Sequence, residues 1–244
     1  RLIYKHSDIQ SLEEKLKEAK ESDVKLIVTD GVFSMEGDMA LLKDIIELAE
    51  KFEAIVMVDD SHATGVIGKT GRGSEEYHNV FGKVDIITGT FGKSLGGAGG
   101  GFVAGRKSVV DMCVQRSRPH LFSNSLPPVL AAIANEALNY IRSNPKVIEN
   151  LNKKTVYFRN KLKDAGLNPI EGDSAIIPII IGYTAKAISI TDEMLKKGVY
   201  ATGFGYPVVP EGTARIRIQT SDALTYEDID YAIKVIKECI DSIL

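Results

Sequence analysis

The most restrictive feature of this sequence is the apolar run Ala54-Ile55-Val56-Met57-Val58, which stops abruptly at two adjacent aspartates, Asp59 and Asp60. Short β-branched runs of this kind read as buried strands. Just before it, Leu41, Ile45, Leu48, Ala49 and Phe52 recur at the spacing of an amphipathic helix. The same couplet occurs upstream, where Ile9, Leu12, Leu16 and Ala19 precede Leu26-Ile27-Val28 and then the polar pair Thr29-Asp30. Downstream, Asp85-Ile86-Ile87-Thr88 and Gly101-Phe102-Val103-Ala104 supply two further strand-like runs. Strands alternating with helices predict helices laid over a largely parallel sheet, an α/β architecture. Ligands of such sheets gather beyond the carboxyl ends of the strands. The polar residues that follow each run are therefore the place to look for chemistry.

The second half has a different rhythm. A long apolar helix is expected over 129–141, and Asn144-Pro145 separates it from another helix reaching about Ala165. Three β-like runs follow: Ala175-Ile176-Ile177-Pro178-Ile179-Ile180-Ile181, Gly198-Val199-Tyr200 and Ala214-Arg215-Ile216-Arg217-Ile218. A last helix begins near Tyr226, opened by Thr225 with Asp228 at the N3 position, close to a capping box. This pattern predicts a large domain over 1–133 and a smaller α+β domain over 134–244.

Composition narrows the partners. The 244 residues are 44% hydrophobic and 26% charged with a net charge of −3, and no basic block stands out, so nucleic acid and anionic membranes are not expected partners. No apolar run approaches the ~20 residues of a membrane span. The two cysteines, Cys113 and Cys239, fit no metal or disulfide spacing and read as reduced thiols of a cytoplasmic protein.

Three strand ends carry the candidate chemistry. In Asp59-Asp60-Ser61-His62 a carboxylate follows a buried strand, which is costly unless a cation meets it. Read alone it is also an ordinary solvated turn. In Thr90-Phe91-Gly92-Lys93-Ser94, followed by a glycine-rich stretch, the Gly-Lys-Ser triplet invites comparison with a Walker phosphate loop. That motif needs a glycine where this chain has Ile87, and the match fails. A bare dinucleotide pattern through Gly99, Gly101 and Ala104 is disfavoured because strand rather than helix follows. What is left is a lysine ringed by glycines, where a bulky ligand can approach the backbone and an amine can form a Schiff base. The third loop, Thr29-Asp30-Gly31-Val32-Phe33-Ser34-Met35-Glu36-Gly37-Asp38, would by itself be a turn into a helix.

Together with Arg116-Ser117-Arg118-Pro119-His120-Leu121-Phe122-Ser123-Asn124-Ser125 and the closing Arg-Ile-Arg, these loops resemble the α-oxoamine synthases among the fold-type I enzymes that use pyridoxal 5'-phosphate (PLP). The resemblance covers essentially the whole chain. It implies the aminotransferase-like fold, with a mostly parallel large domain lacking its N-terminal part and a small C-terminal α+β domain. It also implies an acyltransferase that joins an amino acid to an acyl-CoA. The Asp-Asp-Ser-His and Phe-Ser-Asn-Ser segments favour the branch that condenses glycine with acetyl-CoA to 2-amino-3-oxobutanoate, or cleaves that product in threonine breakdown. The alternative is the branch that joins alanine to pimeloyl-CoA in biotin synthesis.

The roles that the resemblance implies are specific. Lys93 would hold PLP covalently and, once freed, act as base. Asp59 would bind the pyridine nitrogen, and His62 and Ser34 would meet the ring's phenolic oxygen. Thr90 would hold the phosphate, and Ser123 would reach the phosphate of a neighbouring subunit, implying a homodimer with shared active sites. Arg217 would take the substrate carboxylate, a task suited to its planar fork, whereas Arg215 reads as structural or solvated. No metal is called for. The family also has a preceding segment with a glycine-containing phosphate loop and a histidine that stacks on the cofactor. No counterpart precedes Arg1, which itself is not an initiator Met. The expectation is therefore that the 244-residue chain by itself binds PLP weakly and turns over poorly.

Overall fold

The computed structural model describes residues 1–97 and 99–243. They divide into two compact units, one of Arg1–Val32 with Met39–Pro145 and one of Phe33–Asp38 with Lys146–Leu244. The division falls at Pro145, so the boundary expected near residue 134 lies inside a helix.

The first unit is the expected alternation. Helix α1 (Ile9–Glu18) is capped by Asp8, whose carboxylate accepts from the Ser11 amide at 2.8 Å. Strand β1 (Leu26–Asp30) pairs in parallel with β2 (Ile55–Asp59), and β2 pairs in parallel with β3 (Ile86–Thr90). Strand β4 (Gly101–Gly105) closes the order β1-β2-β3-β4 as an antiparallel edge. Between β1 and β2, α2 (Leu42–Phe52) buries Leu42, Ile45, Ile46 and Ala49. One sheet face is covered, the one carrying the buried Ile27, Val56 and Val58, while Leu26 and Val28 on the other are about half exposed. The sheet is thus clothed on one side by the described helices. After β2 comes the single turn α3 (Ser74–His78). Beyond β4 lie α4 (Lys107–Arg116) and α5 (Arg118–Phe122), which the apolar periodicity did not announce because neither has a buried residue. The long helix α6 (Pro128–Ser143) starts with proline in its first turn, where the missing N–H costs nothing.

In the second unit α7 (Lys146–Asp164) leads to β5 (Ile176–Gly182), α8 (Thr184–Lys196), β6 (Thr202–Phe204), β7 (Ala214–Gln219) and α9 (Tyr226–Ile243). The antiparallel order is β5-β7-β6, and Pro178 sits in the edge strand β5, where a missing ladder donor is tolerated. Ile177, Ile179, Ile216 and Ile218 from the sheet join Phe158, Leu162, Ile190, Met194, Ile229 and Ile236 from the three helices in one core. The capping box at Thr225 forms reciprocally: Asp228 N–H donates to Thr225 Oγ1 at 3.1 Å, and Thr225 N–H donates to Asp228 Oδ2 at 2.8 Å.

One expected strand is corrected. Gly198-Val199-Tyr200 is not β; Gly198 has φ +79° and ends α8. Its amide donates to Leu195 O at 2.9 Å and the Val199 amide to Met194 O at 3.0 Å, the pair of bonds that defines a Schellman cap. With the Gly198 and Val199 amides spent on closing the helix, the strand forms at Thr202–Phe204 instead.

Candidate active site

The carboxyl ends of β2 and β3 lie side by side, since Asp59 and Thr88 are register partners. Thr88 Oγ1 donates to Asp59 Oδ2 at 3.0 Å, and the Ser61 amide donates to Asp59 Oδ1 at 2.9 Å. Partial burial pushes the Asp59 carboxyl up. Hydrogen bonds from the Ser61 hydroxyl and amide and from Thr88, with the field of Lys93, outweigh it and hold the group below its ordinary range. The sequence order thus becomes a constellation of an ionised carboxylate, a hydroxyl on the next strand and a nearby ammonium. Lys93 is exposed on the turn that follows β3, with its carbonyl accepting from Gly97 N–H at 2.9 Å. His62 stands half-buried on the loop after β2.

Asp60 has the opposite fate from its neighbour. It is 2% exposed, and both oxygens are taken by Ser74: Ser74 Oγ donates to Oδ1 at 2.6 Å and Ser74 N–H to Oδ2 at 2.9 Å. Burial, partly offset by the Ser74 bonds and reinforced by the nearby charges of Glu75 and Asp59, raises its pKa. Its main chain also sets the loop: Asp60 N–H donates to Thr88 O at 2.8 Å, and Asp60 O accepts from the Ala63 and Thr64 amides at 2.9 Å. Asp60 is therefore the pin of the Asp59–His62 turn, while Asp59 faces outward.

Thr90 ends β3, and its hydroxyl donates to Gly100 O at 3.1 Å and accepts from Gly92 N–H at 3.0 Å, so it braces the lysine loop. Ser123 caps α5, exposed, with no side-chain hydrogen bond among the described residues. Ser34 and Arg217 both belong to the second unit, where Arg217 Nη1 donates to Ser34 O at 3.0 Å. Arg217 also lies 4.6 Å from the Phe204 ring. It is half-buried, burial depresses its pKa, and among the described residues no carboxylate pairs with it. Such a guanidinium is short of an anion.

Sequence reading gave no site role to Thr88, Ser61 or Asp60, and read Arg215 as structural or solvated. Thr88 was findable, as it holds the equivalent last position of the next parallel strand. Arg215 was not, because its partners are distant in sequence. Among the described residues no helix is long and apolar enough to cross a membrane.

A family model described as aminotransferase class I and II matches residues 3–236. The 2-amino-3-ketobutyrate coenzyme A ligase of Escherichia coli (strain K12) is 49% identical over 236 residues, covering 96% of this chain and 59% of that protein. The 8-amino-7-oxononanoate synthase of Thermoanaerobacter pseudethanolicus is 43% identical over 238 residues, covering 97% of this chain and 60% of its own length. Among solved structures, a serine palmitoyltransferase variant from S. paucimobilis with a bound PLP–myriocin aldimine superposes with a TM-score of 0.93 at 28% identity, covering 98% of this chain and 61% of that one. This chain spans about three fifths of the length of these relatives.

Proposed function

The chain belongs to the aminotransferase class I and II family, as its strand-end loops predict, and on that premise we propose that it works with PLP to join glycine and acetyl-CoA into 2-amino-3-oxobutanoate and CoA, or to run that reaction backwards. The observation that carries the reading is Asp59, held ionised by Thr88 and Ser61 within the field of Lys93 at adjoining strand ends. The donor set suits the cofactor. A carboxylate that resists protonation keeps a ring nitrogen cationic, the Lys93 amine is exposed on a glycine-rich turn, and Ser34, Thr90 and Ser123 supply hydroxyls for oxygen and phosphate.

When bound, PLP supplies an electron sink for the pair left on the amino-acid Cα. Lys93 would hold it covalently; freed, its Nζ takes the Cα proton, a step worth ~10²–10⁴-fold for a placed base. Asp59 would keep the sink charged, and His62 would hydrogen-bond the phenolic oxygen and supply a proton. Arg217 grips the substrate carboxylate with its fork, fixing which Cα bond breaks. In the net reaction a bond forms between glycine Cα and the acetyl carbonyl carbon, the carbon–sulfur bond breaks, and CoA departs as the thiol.

Ser123, exposed at the end of α5, suits a phosphate contact across a homodimer with shared sites, and the two free thiols suit the cytoplasm. A second reading, alanine with pimeloyl-CoA, rests on the 43% identity to an oxononanoate synthase. The deciding experiment compares both substrate pairs in wild-type and Lys93→Ala protein. Turnover of glycine with acetyl-CoA, lost together with the visible cofactor absorbance in Lys93→Ala, is the expected outcome. Absorbance and turnover that survive the substitution overturn the assignment, and a preference for alanine with pimeloyl-CoA transfers it to the second reading.

A further inference from the structure

Arg215 and Arg217 leave β7 on the same face, because alternate residues of a strand point the same way, whereas Ile216 and Ile218 fill the core on the other. That face is met by the Phe33–Asp38 loop of the same unit. The two arginines hold consecutive carbonyls of the loop. Arg217 Nη1 donates to Ser34 O at 3.0 Å, and Arg215 Nη1 donates to Met35 O at 2.9 Å. The Arg215 Nη1 group also reaches Glu36 Oε1 at 3.1 Å, while its Nε donates to Thr213 O at 3.1 Å. At 4% exposure the Arg215 guanidinium is enclosed and offers no room for a ligand. The loop is fastened at its other end too: Ser174 Oγ donates to Gly37 O at 2.6 Å, and a Cβ on Gly37 would lie 2.4 Å from Ile176 O.

Arg217 differs. Its Nε and Nη2 make no hydrogen bond among the described residues, so the fork edge that suits a carboxylate is still available. The direction of that edge depends on where Nη1 is tethered, which is the Ser34 carbonyl. We propose that Arg215 is a positioning residue for carboxylate recognition: by gripping Met35 O and Glu36 it fixes the next carbonyl back, that of Ser34, and so aims the free edge of Arg217. The inference rests on the reading that Arg217 takes the substrate carboxylate. It gives Arg215 a functional task in place of the structural or solvated one that its sequence position suggests.

The test uses the full-length, cofactor-loaded protein in wild-type, Arg215→Gln, Glu36→Gln and Arg217→Gln forms. Steady-state kinetics for each substrate are paired with hydrogen–deuterium exchange of the peptide covering Phe33–Asp38. For Arg215→Gln the glycine KM rises about tenfold, the scale of one misdirected charge-assisted hydrogen bond. The acetyl-CoA KM stays within about twofold, and the loop amides exchange faster. Glu36→Gln keeps the Met35 contact and guards against a folding failure of Arg215→Gln; it raises the glycine KM by roughly threefold. Faster loop exchange without a change in glycine KM, or an equal rise in both KM values, overturns the proposal. A glycine KM that responds to Arg217→Gln but to neither of the other two variants overturns the positioning role alone. A glycine KM indifferent to Arg217→Gln overturns the carboxylate assignment beneath it.

Discussion

Replacing Gly31 by alanine would put a methyl carbon 2.0 Å from Asp60 Oδ1 and 2.9 Å from Ser74 Oγ. Carbon and oxygen at rest sit well over 1 Å farther apart, so something must give. The Asp60 carboxylate cannot turn aside, since Ser74 holds both of its oxygens and a Cβ built on Gly73 would press the other oxygen, also at 2.0 Å. Overpacking a tight interior costs about 1–3 kcal/mol. Displacing the carboxylate from Ser74 adds about 1.5–3 kcal/mol for a charge-assisted hydrogen bond. The sum, near ~4 kcal/mol, is a large share of the ~5–15 kcal/mol that ordinarily separates folded from unfolded protein. The control is Gly82→Ala. Gly82 has φ +75° and nothing within 4 Å of its built Cβ, so only the left-handed backbone is penalised, by about 1–2 kcal/mol. Urea midpoints followed by circular dichroism, with m-values compared, measure both. A Gly31→Ala protein no less stable than Gly82→Ala would refute the account of Asp60 as a buried, two-point pin.

Asp60 also titrates informatively. Its folded pKa is raised, so its favourable contribution is complete below the unfolded value and is lost as pH climbs through the folded one. The stability advantage of wild type over Asp60→Asn is therefore largest below pH ~4 and shrinks as pH rises above it, as paired denaturation curves at several pH values can check; an advantage that grows with pH contradicts this. Arg159, 7% exposed, donates to Ile170 O at 2.7 Å and to Ile176 O at 2.6 Å. Arg159→Met strands those buried carbonyls and is expected to cost about 2–4 kcal/mol in the same assay, against almost nothing if water replaces the guanidinium. Thr225→Ala removes the cap of α9 and should lower stability by about 1 kcal/mol, measured as a shift in melting temperature.

The sequence by itself determined the layout of the large unit and singled out its candidate loops. Buried parallel strands must be apolar runs and must end in something polar, so Asp59, Thr90 and Lys93 stand out without a fold. The Thr225–Asp228 cap was likewise readable, because it spans a single helical turn. Where several local rules compete, sequence misled: Gly198-Val199-Tyr200 has strand composition, yet its glycine serves better as a helix cap. Tertiary structure decided the rest. Asp59 and Asp60 are chemically identical neighbours, and only the tertiary surroundings, with Ser74, Gly31 and Gly73 around one of them, leave the first partly exposed and make the second a buried pin. The pairing of Arg215 and Arg217 with the Phe33–Asp38 loop joins residues some 180 positions apart. No local pattern encodes such a contact, because the energy that selects it comes from burying the whole loop against β7 rather than from the residues adjacent to it.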